Sequence, residues 1–342
     1  MERVFRDIND GISTSQALKH TINKEPADWY LGVKLVQHCS GNVLHSVDLT
    51  QQSYIEQICK ANGITGGKAV KTSASQVKLT KLDSIENPNS AEIAKQQKFR
   101  SNVGALLFLA RCTMPTIAYA VGALGRFSSD SGPPHWAEME HLLKHIYSIR
   151  TMGLRYTYNR DDPDSVIATS IVCNWNKYVV DDYFIAYTDS DFAGCPDTSR
   201  STSGNVLIWM GAAVSWASAL QACVTLSTAE AEMVALSKAS QEVIWFRRLM
   251  QDLGHASKIP TPIYCDNQAT LRLIKHRVHH SRTKHIELRK NFTKEHVETE
   301  ELNPQYIVSA DNLADCFTKP IKLSIIEQHF QFITGMPLTY SQ

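Results

Sequence analysis

Four acidic residues stand at the ends of predicted secondary-structure elements, where their carboxylates can converge. Asp189 and Asp266 each end an apolar strand. Glu232 lies in the first turns of a long helix, and Asp315 opens a later helix. Carboxylates at strand ends of an open α/β sheet face the crevice in which ligands bind. Several hard oxygen ligands suit Mg²⁺ or Mn²⁺, and two such ions about 3.5 to 4 Å apart would activate water and stabilise the leaving oxygen in phosphodiester hydrolysis.

Each acid taken alone has an ordinary explanation, because Asp is common in turns and Glu in a first helical turn complements the helix dipole. The order and context of all four favour the metal site instead. Glu230 competes with Glu232, since two helical residues two positions apart differ by about 200° in direction. Asp191 is the alternative to Asp189, and the pair also forms the Asp-x-Asp of a weaker sugar-nucleotide hypothesis.

Composition indicates an ordinary folded protein. The 342 residues are 43% hydrophobic and 20% charged, with a net charge of +1, so any surface that binds nucleic acid must be local. Apolar runs are too short for a membrane span, the start has no apolar signal-peptide core, and the eight cysteines form no Cys-x-x-Cys pair. We therefore expect an intracellular protein of the cytoplasm or nucleus with no membrane partner.

Hydrophobic patterning predicts three sections. Alternation on both sides of Gly41-Asn42 predicts a hairpin, followed by a helix over 52–62 and a polar loop over 68–89. Residues 91–147 repeat apolar positions at helical spacing. After a boundary at 158–182, strands and helices alternate, with a last strand expected over 305–308. This order predicts an α/β (α+β) fold with a mixed sheet and helices packed on it.

Seven motifs in the last section occur in an order that resembles the RNase H domain of copia-type LTR retrotransposon Pol polyproteins. They are Tyr187 to Gly194, Ser201 to Gly204, Val214 to Trp216, Leu226 to Glu232, Cys265 to Gln268, His280 to Ile286, and Leu313 to Asp315 with Thr318 to Pro320. The resemblance implies a type I RNase H fold with a five-stranded sheet. It also implies cleavage of the RNA strand of RNA/DNA hybrids with Mg²⁺ (or Mn²⁺) bound by Asp189, Glu232, Asp266 and Asp315.

The resemblance extends upstream. Tyr30-Leu31-Gly32 resembles the primer-gripping hairpin of a reverse-transcriptase palm, and Leu106 to Arg126 resembles the thumb or connection that follows it. It implies a palm remnant over 1–65, a helical thumb or connection over 66–160, a linker over 161–182 and an RNase H-like domain over 183–342. The family's Tyr-x-Asp-Asp polymerase motif is absent from the sequence. We therefore expect no polymerase activity from this chain alone, and the remaining polymerase part of the polyprotein is a possible partner.

One dense basic run lies beside the acidic motifs and predicts contacts with the phosphates of a hybrid. We expect Arg277, Arg282, Lys284, His285 and Arg289 to bind nucleic acid. A solvated helix and loop explain the run equally well without the acidic site. The family resemblance makes His280 and His285 candidates for product release or proton transfer beside the metals. Zinc is disfavoured because no Cys pair accompanies the histidines.

The alternative hypothesis is a domesticated or decayed fragment that binds nucleic acid or a partner without catalysis. The presence of all four acids favours the nuclease, and the missing polymerase motif favours the fragment. An integrase or transposase with an RNase H-like fold is a weaker possibility, because those sites lack the Cys-Asp-Asn-Gln and Leu-Ala-Asp contexts in this order.

Overall fold

The computed structural model describes residues 28–40, 43–157, 184–275 and 284–341. Its α-helices are α1 (Gln52–Ala61), α2 (Ser90–Cys112), α3 (Ala118–Gly125), α4 (Pro133–Ser148), α5 (Thr228–Asp252), α6 (Gln268–Lys275), α7 (Lys284–Glu298) and α8 (Leu323–Thr334). Its strands are β1 (Trp29–Tyr30), β2 (Val33–Ser40), β3 (Val43–Thr50), β4 (Gly153–Thr157), β5 (Ile185–Asp191), β6 (Thr202–Trp209), β7 (Ala212–Leu220), β8 (Thr261–Cys265) and β9 (Leu302–Tyr306). The predicted Gly41-Asn42 turn, the linker over 161–182, and residues Arg277, His280 and Arg282 lie outside the described residues, as do the side chains of Lys284 and His285.

The first sheet has the order β1-β2-β3-β4, and its neighbouring strands are antiparallel. The sequence predicted the β2–β3 pair but not β4. Strand β4 pairs Arg155 with Asp48 of β3, and the guanidinium donates to both carboxylate oxygens at 2.7 and 2.8 Å. Its neighbour Leu154 is buried. A cross-strand ion pair and one buried leucine therefore stabilise this strand, which is too short to show a clear alternation of apolar and polar residues.

The predicted helical section is confirmed as α2, α3 and α4, which pack with α1 around one apolar core. Helix α2 begins with a capping box, in which the Asn89 side chain accepts from the backbone of Ala91 and Glu92, and the Glu92 carboxylate accepts from the backbone of Asn89. Phe330 of α8 also lies in this core. The C-terminal helix thereby joins the two halves of the chain.

The second sheet has the order β7-β6-β5-β8-β9. Strands β5, β6 and β7 are antiparallel neighbours, and β5, β8 and β9 are parallel neighbours. Helix α5 covers this sheet with a buried row that includes Met233, Leu236 and Val243. The predicted α/β class and mixed five-stranded sheet are confirmed.

The last strand begins earlier than predicted. Strand β9 covers Leu302–Tyr306 rather than 305–308, and Pro304 lies within it opposite Ile263 of β8. Proline has no backbone N–H and cannot donate to a ladder, so it is unfavourable inside a sheet. Here β9 is the edge of the sheet, where proline is tolerated. Among the described helices, none is both long and apolar enough to cross a lipid bilayer.

Candidate metal centre

Two parallel strands bring the first two acids together. Strands β5 and β8 are neighbours, and Thr188 lies opposite Cys265 in their register. Asp189 and Asp266, each one residue further along, therefore reach the same carboxyl edge of the sheet. The Asp189 side chain is buried and accepts a hydrogen bond from Thr318, whereas Asp266 is more open and accepts one from Ser309.

Helix α5 supplies the third acid. Ser227 caps this helix by accepting from the backbone of Glu230, and Glu232 lies one half-turn further on, facing the sheet. One oxygen of Glu232 accepts from both the backbone and the hydroxyl of Ser190, at 3.1 and 3.0 Å. These two bonds tie the helix to the end of β5 and leave Oε2 directed toward Cys265.

Glu230 takes a different position from Glu232. Its carboxylate accepts from the backbone of Leu226 at 2.9 Å, so it caps the helix that Ser227 begins. It belongs to neither group of candidate ligands among the described residues. Of these two residues, Glu232 alone lies in a group of candidate ligands among the described residues, and metal binding by Glu232 stays a prediction.

A 3₁₀ turn over Leu313–Phe317 carries the fourth acid, Asp315. Asn312 begins the turn, accepting from the backbone of Ala314 and donating to the carbonyl oxygen of Thr188 at 3.0 Å. The turn is therefore held against β5 directly beside Asp189. The Oδ1 atom of Asp315 is buried and has no hydrogen-bond partner in the described structure.

The four acids form two overlapping groups of potential ligands. Asp189, Asp266 and Asp315 each offer a carboxylate oxygen within 4.8 Å of the others. Glu232, Cys265 and Asp266 form a second group with the same spacing. Asp266 belongs to both groups, so its carboxylate can serve both ligand positions. All four predicted acids meet at this one edge of the sheet.

Burial and mutual repulsion disfavour the ionised forms of these acids. Burial, followed by the charge of Asp315, raises the pKa of Asp189 to about 6. Burial, followed by the charges of Asp189 and Asp266, raises the pKa of Glu232 to about 8. Burial also raises the pKa of Asp315. A divalent cation between the carboxylates would reverse these shifts, because it favours the charged form of every ligand.

The donors present fit a hard divalent cation. Carboxylate oxygens are the ligands that Mg²⁺ and Mn²⁺ prefer, and the unpaired Oδ1 of Asp315 is a buried acceptor that such an ion would satisfy. Burial raises the pKa of the Cys265 thiol well above its usual range, which keeps it protonated and unsuited to bind metal as a thiolate. The set therefore consists of oxygen donors.

Comparisons with known proteins give the context of this site. No protein-family model matches the chain. The chain is 33% identical to the retrovirus-related Pol polyprotein from transposon TNT 1-94 of Nicotiana tabacum, over 86% of this chain and 20% of that protein. It is 28% identical to the retrovirus-related Pol polyprotein from transposon RE2 of Arabidopsis thaliana, over 89% of this chain and 19% of that protein.

The chain belongs to the retrovirus-related Pol polyproteins of copia-type transposons. It spans about a fifth of the length of these Pol relatives. Among solved structures it is similar to LC11-RNase H1, isolated from compost by a metagenomic approach, with 20% identity over 40% of this chain and 93% of that chain and a TM-score of 0.32.

One glycine of the Pol chain allows the Asp315 turn to approach the sheet. Gly204 of β6 lies opposite Asp189. A Cβ at this position would lie 2.7 Å from Cγ2 of Thr318, 2.8 Å from Cβ of Phe317 and 2.9 Å from the carbonyl oxygen of Ala314. The Ser-Thr-Ser-Gly motif seen in the sequence thus ends in a residue whose missing side chain makes room for the site.

Asp191 lies beside the site of this Pol chain but outside both groups of candidate ligands. Its carboxylate packs against Gly194 in the loop after β5, in the space that a side chain at position 194 would need. Burial raises the pKa of Asp191, and the ammonium of Lys319 partly offsets that effect. The carboxylate of Asp191 is therefore part of the loop after β5, and metal binding by Asp189 stays a prediction.

The predicted nucleic-acid surface is described only in part. Arg289 lies on α7, a helix that packs against α5, and its side chain is half-buried. Burial first, and the charge of Arg289 second, lower the pKa of Lys238 on α5. Two cationic side chains of facing helices thus lie close to each other. Binding of nucleic acid by Arg289 stays a prediction.

Sequence reasoning assigned no role to several polar residues that hold the acids of this Pol chain. They are Ser190, Ser309, Asn312, Thr318 and Lys319. Three of them lie within motifs that carried the family resemblance. Ser190, Asn312, Thr318 and Lys319 lie within one to four residues of Asp189 or Asp315, which was a usable signal, whereas Ser309 lies six residues before Asp315. The direction of each bond depends on the assembled sheet.

Proposed function

We propose that this Pol chain hydrolyses the RNA strand of RNA/DNA hybrids as a metal-dependent ribonuclease of the RNase H type. The observation that carries the proposal is the pair of overlapping ligand groups that share Asp266. Two cation positions with a common carboxylate are the arrangement expected for a two-metal phosphodiester hydrolysis. Membership in the copia-type Pol family and the mixed five-stranded sheet support the same reaction.

The residues of the chain hold and orient the site. Asp189, Asp266 and Asp315 would hold one cation, and Asp266 with Glu232 would hold the second. Bound Mg²⁺ or Mn²⁺ supplies a more acidic water and stabilises charge on the leaving oxygen. The hydroxyls of Ser190, Ser309 and Thr318 keep the carboxylates in place through hydrogen bonds. Such supporting bonds commonly affect metal affinity or activity by about ten- to a hundred-fold.

In this proposal, polymerisation belongs to the rest of the polyprotein. The Tyr-x-Asp-Asp motif is absent from the sequence, and this chain spans about a fifth of its Pol relatives. We assign residues 1–65 to a palm remnant, 66–160 to a thumb or connection, and 183–342 to the RNase H-like domain. The contact between Trp216 of β7 and the Ala110 carbonyl of α2, at 2.6 Å, supports a docked arrangement of the last two.

A cleavage assay on a labelled RNA/DNA hybrid tests the proposal. We expect RNA products with Mg²⁺, and loss of these products in EDTA and in the Asp266→Asn variant. Glu230→Gln is the matched control, because it removes a carboxylate of the same neighbourhood that caps helix α5 and joins neither ligand group. Retention of the hybrid on a filter without any cleavage would instead support the non-catalytic binding fragment.

A further inference from the structure

A single ammonium group lies between two of the acids. The Nζ atom of Lys319 is 3.0 Å from Oδ2 of Asp315 and 3.9 Å from Oδ2 of Asp189. These two carboxylates come from different elements, the turn over Leu313–Phe317 and strand β5. Within the part of the chain that the structure describes, no other Lys or Arg forms an ion pair with the four site acids.

The ammonium interacts with the same oxygens that a cation would need. Mg²⁺ binds carboxylate oxygens at about 2.0 to 2.1 Å, so an ion shared by Asp189 and Asp315 would lie close to the present position of Nζ. The ammonium of Lys319 and a divalent cation so close to it would repel each other strongly in a partly buried site. The two positive groups therefore compete for one place.

The backbone of Lys319 is held in place, whereas its side chain is free to change conformation. The backbone is held by the turn, since its N–H donates to the carbonyl of Asp315, and Pro320 follows it. The side chain is 40% exposed and has a long flexible stem. Lys319 can therefore leave the acids by rotating its side chain into solvent, while the Asp315 turn stays in place.

We infer that Lys319 is an internal counter-ion that partly neutralises Asp189 and Asp315 in the metal-free protein and is displaced when a divalent cation binds. This inference rests on the proposed metal site. It predicts that the lysine stabilises the metal-free fold and at the same time lowers the affinity for Mg²⁺.

The test combines isothermal titration with Mg²⁺ and thermal unfolding in EDTA at pH 8. We expect Lys319→Gln to bind Mg²⁺ about five-fold or more tightly than the wild type, because displacement of an ion pair is no longer needed. The same variant should melt at a lower temperature in EDTA. Lys319→Arg, which keeps the charge, should resemble the wild type in both measurements. Lys322→Gln is the matched control on an exposed lysine three residues away.

Equal or weaker Mg²⁺ binding by Lys319→Gln would overturn the inference, as would an unchanged or higher melting temperature in EDTA. The melting comparison needs neither bound metal nor activity. A wild-type protein that binds no Mg²⁺ and cuts no hybrid would contradict the proposed function instead. The two failures are therefore distinguishable.

Discussion

The Asn312 side chain donates to the main-chain carbonyl of Thr188 at 3.0 Å, and this bond joins the turn that carries Asp315 to the strand that carries Asp189. Both partners are fully buried. The Asn312 side chain also accepts a hydrogen bond from the backbone N–H of Ala314, and this second bond caps the same turn. One amide thus sets the position of one acid relative to another that is far away in the sequence.

Replacement of Asn312 by Ala should separate these two acids. We expect a loss of cleavage of about ten- to a hundred-fold and a higher Mg²⁺ concentration for half-maximal activity, because a buried carbonyl loses its donor and the turn loses its cap. Steady-state assays across a Mg²⁺ series measure both effects.

Asn62→Ala is the control for Asn312→Ala. The Asn62 side chain also donates to a main-chain carbonyl, that of Ile58, but it lies in the helical section away from the acids. It should lower stability without changing the Mg²⁺ requirement. An Asn312→Ala variant with the Mg²⁺ profile of Asn62→Ala would show that the Thr188 bond does not position the metal ligands.

The acids could be predicted from sequence because each follows a local signal. Asp189 and Asp266 end short apolar runs, and Glu232 follows a serine cap. Their convergence required more, namely that β5 and β8 are parallel neighbours. The family resemblance supplied that step, because strand order is a property of the whole chain that local patterning does not contain.

The features that sequence reasoning missed depend on partners distant in the chain. Strand β4 is held by Arg155 pairing with Asp48, which lies 107 residues earlier. The limits of β9 follow from its register with β8 and from its place at the sheet edge, which permits Pro304. Lys319 was part of a recognised motif, but its contact with Asp189 exists only after the sheet has formed.

Gly204→Ala should disturb the site by overpacking. The added Cβ would lie within 3.0 Å of three atoms, one of them a main-chain oxygen, so the turn over Leu313–Phe317 must move away from β6. We expect a decrease of about 1 to 3 kcal/mol in the free energy of unfolding and a marked loss of cleavage. Urea denaturation and the hybrid assay measure the two effects.

Gly104→Ala provides the comparison for Gly204→Ala. A Cβ at Gly104, an exposed position of helix α2, would meet no atom within 4 Å. Alanine there should stabilise the helix by about 0.5 to 1 kcal/mol and leave cleavage unchanged. If Gly204→Ala behaved like Gly104→Ala, the close approach of the turn to β6 would not be needed for the site.

The metal-free protein should lose stability as pH rises from about 4.5 to 8. The pKa of Glu232 is about 8 in the folded chain and near 4.5 when unfolded, so the folded state holds a proton that the unfolded state has released across this range. The state that binds more protons is disfavoured as pH rises, and unfolding therefore becomes easier. Asp189, with a pKa raised to about 6, contributes in the same direction between about pH 4 and 6.

Thermal unfolding in EDTA between pH 5 and 9 measures this dependence. Glu232→Gln removes the ionisable group, so at pH 8 it should melt about 3 °C or more above the wild type, whereas at pH 5 the two should be similar. Added Mg²⁺ should raise the wild-type melting temperature most at pH 8 and the variant's less, because the variant lacks one charged ligand. Glu230→Gln should keep the wild-type slope. A wild-type melting temperature in EDTA that rises toward pH 8 would mean that Glu232 is stabilised as a carboxylate without a cation, and the electrostatic case for the metal centre would fail.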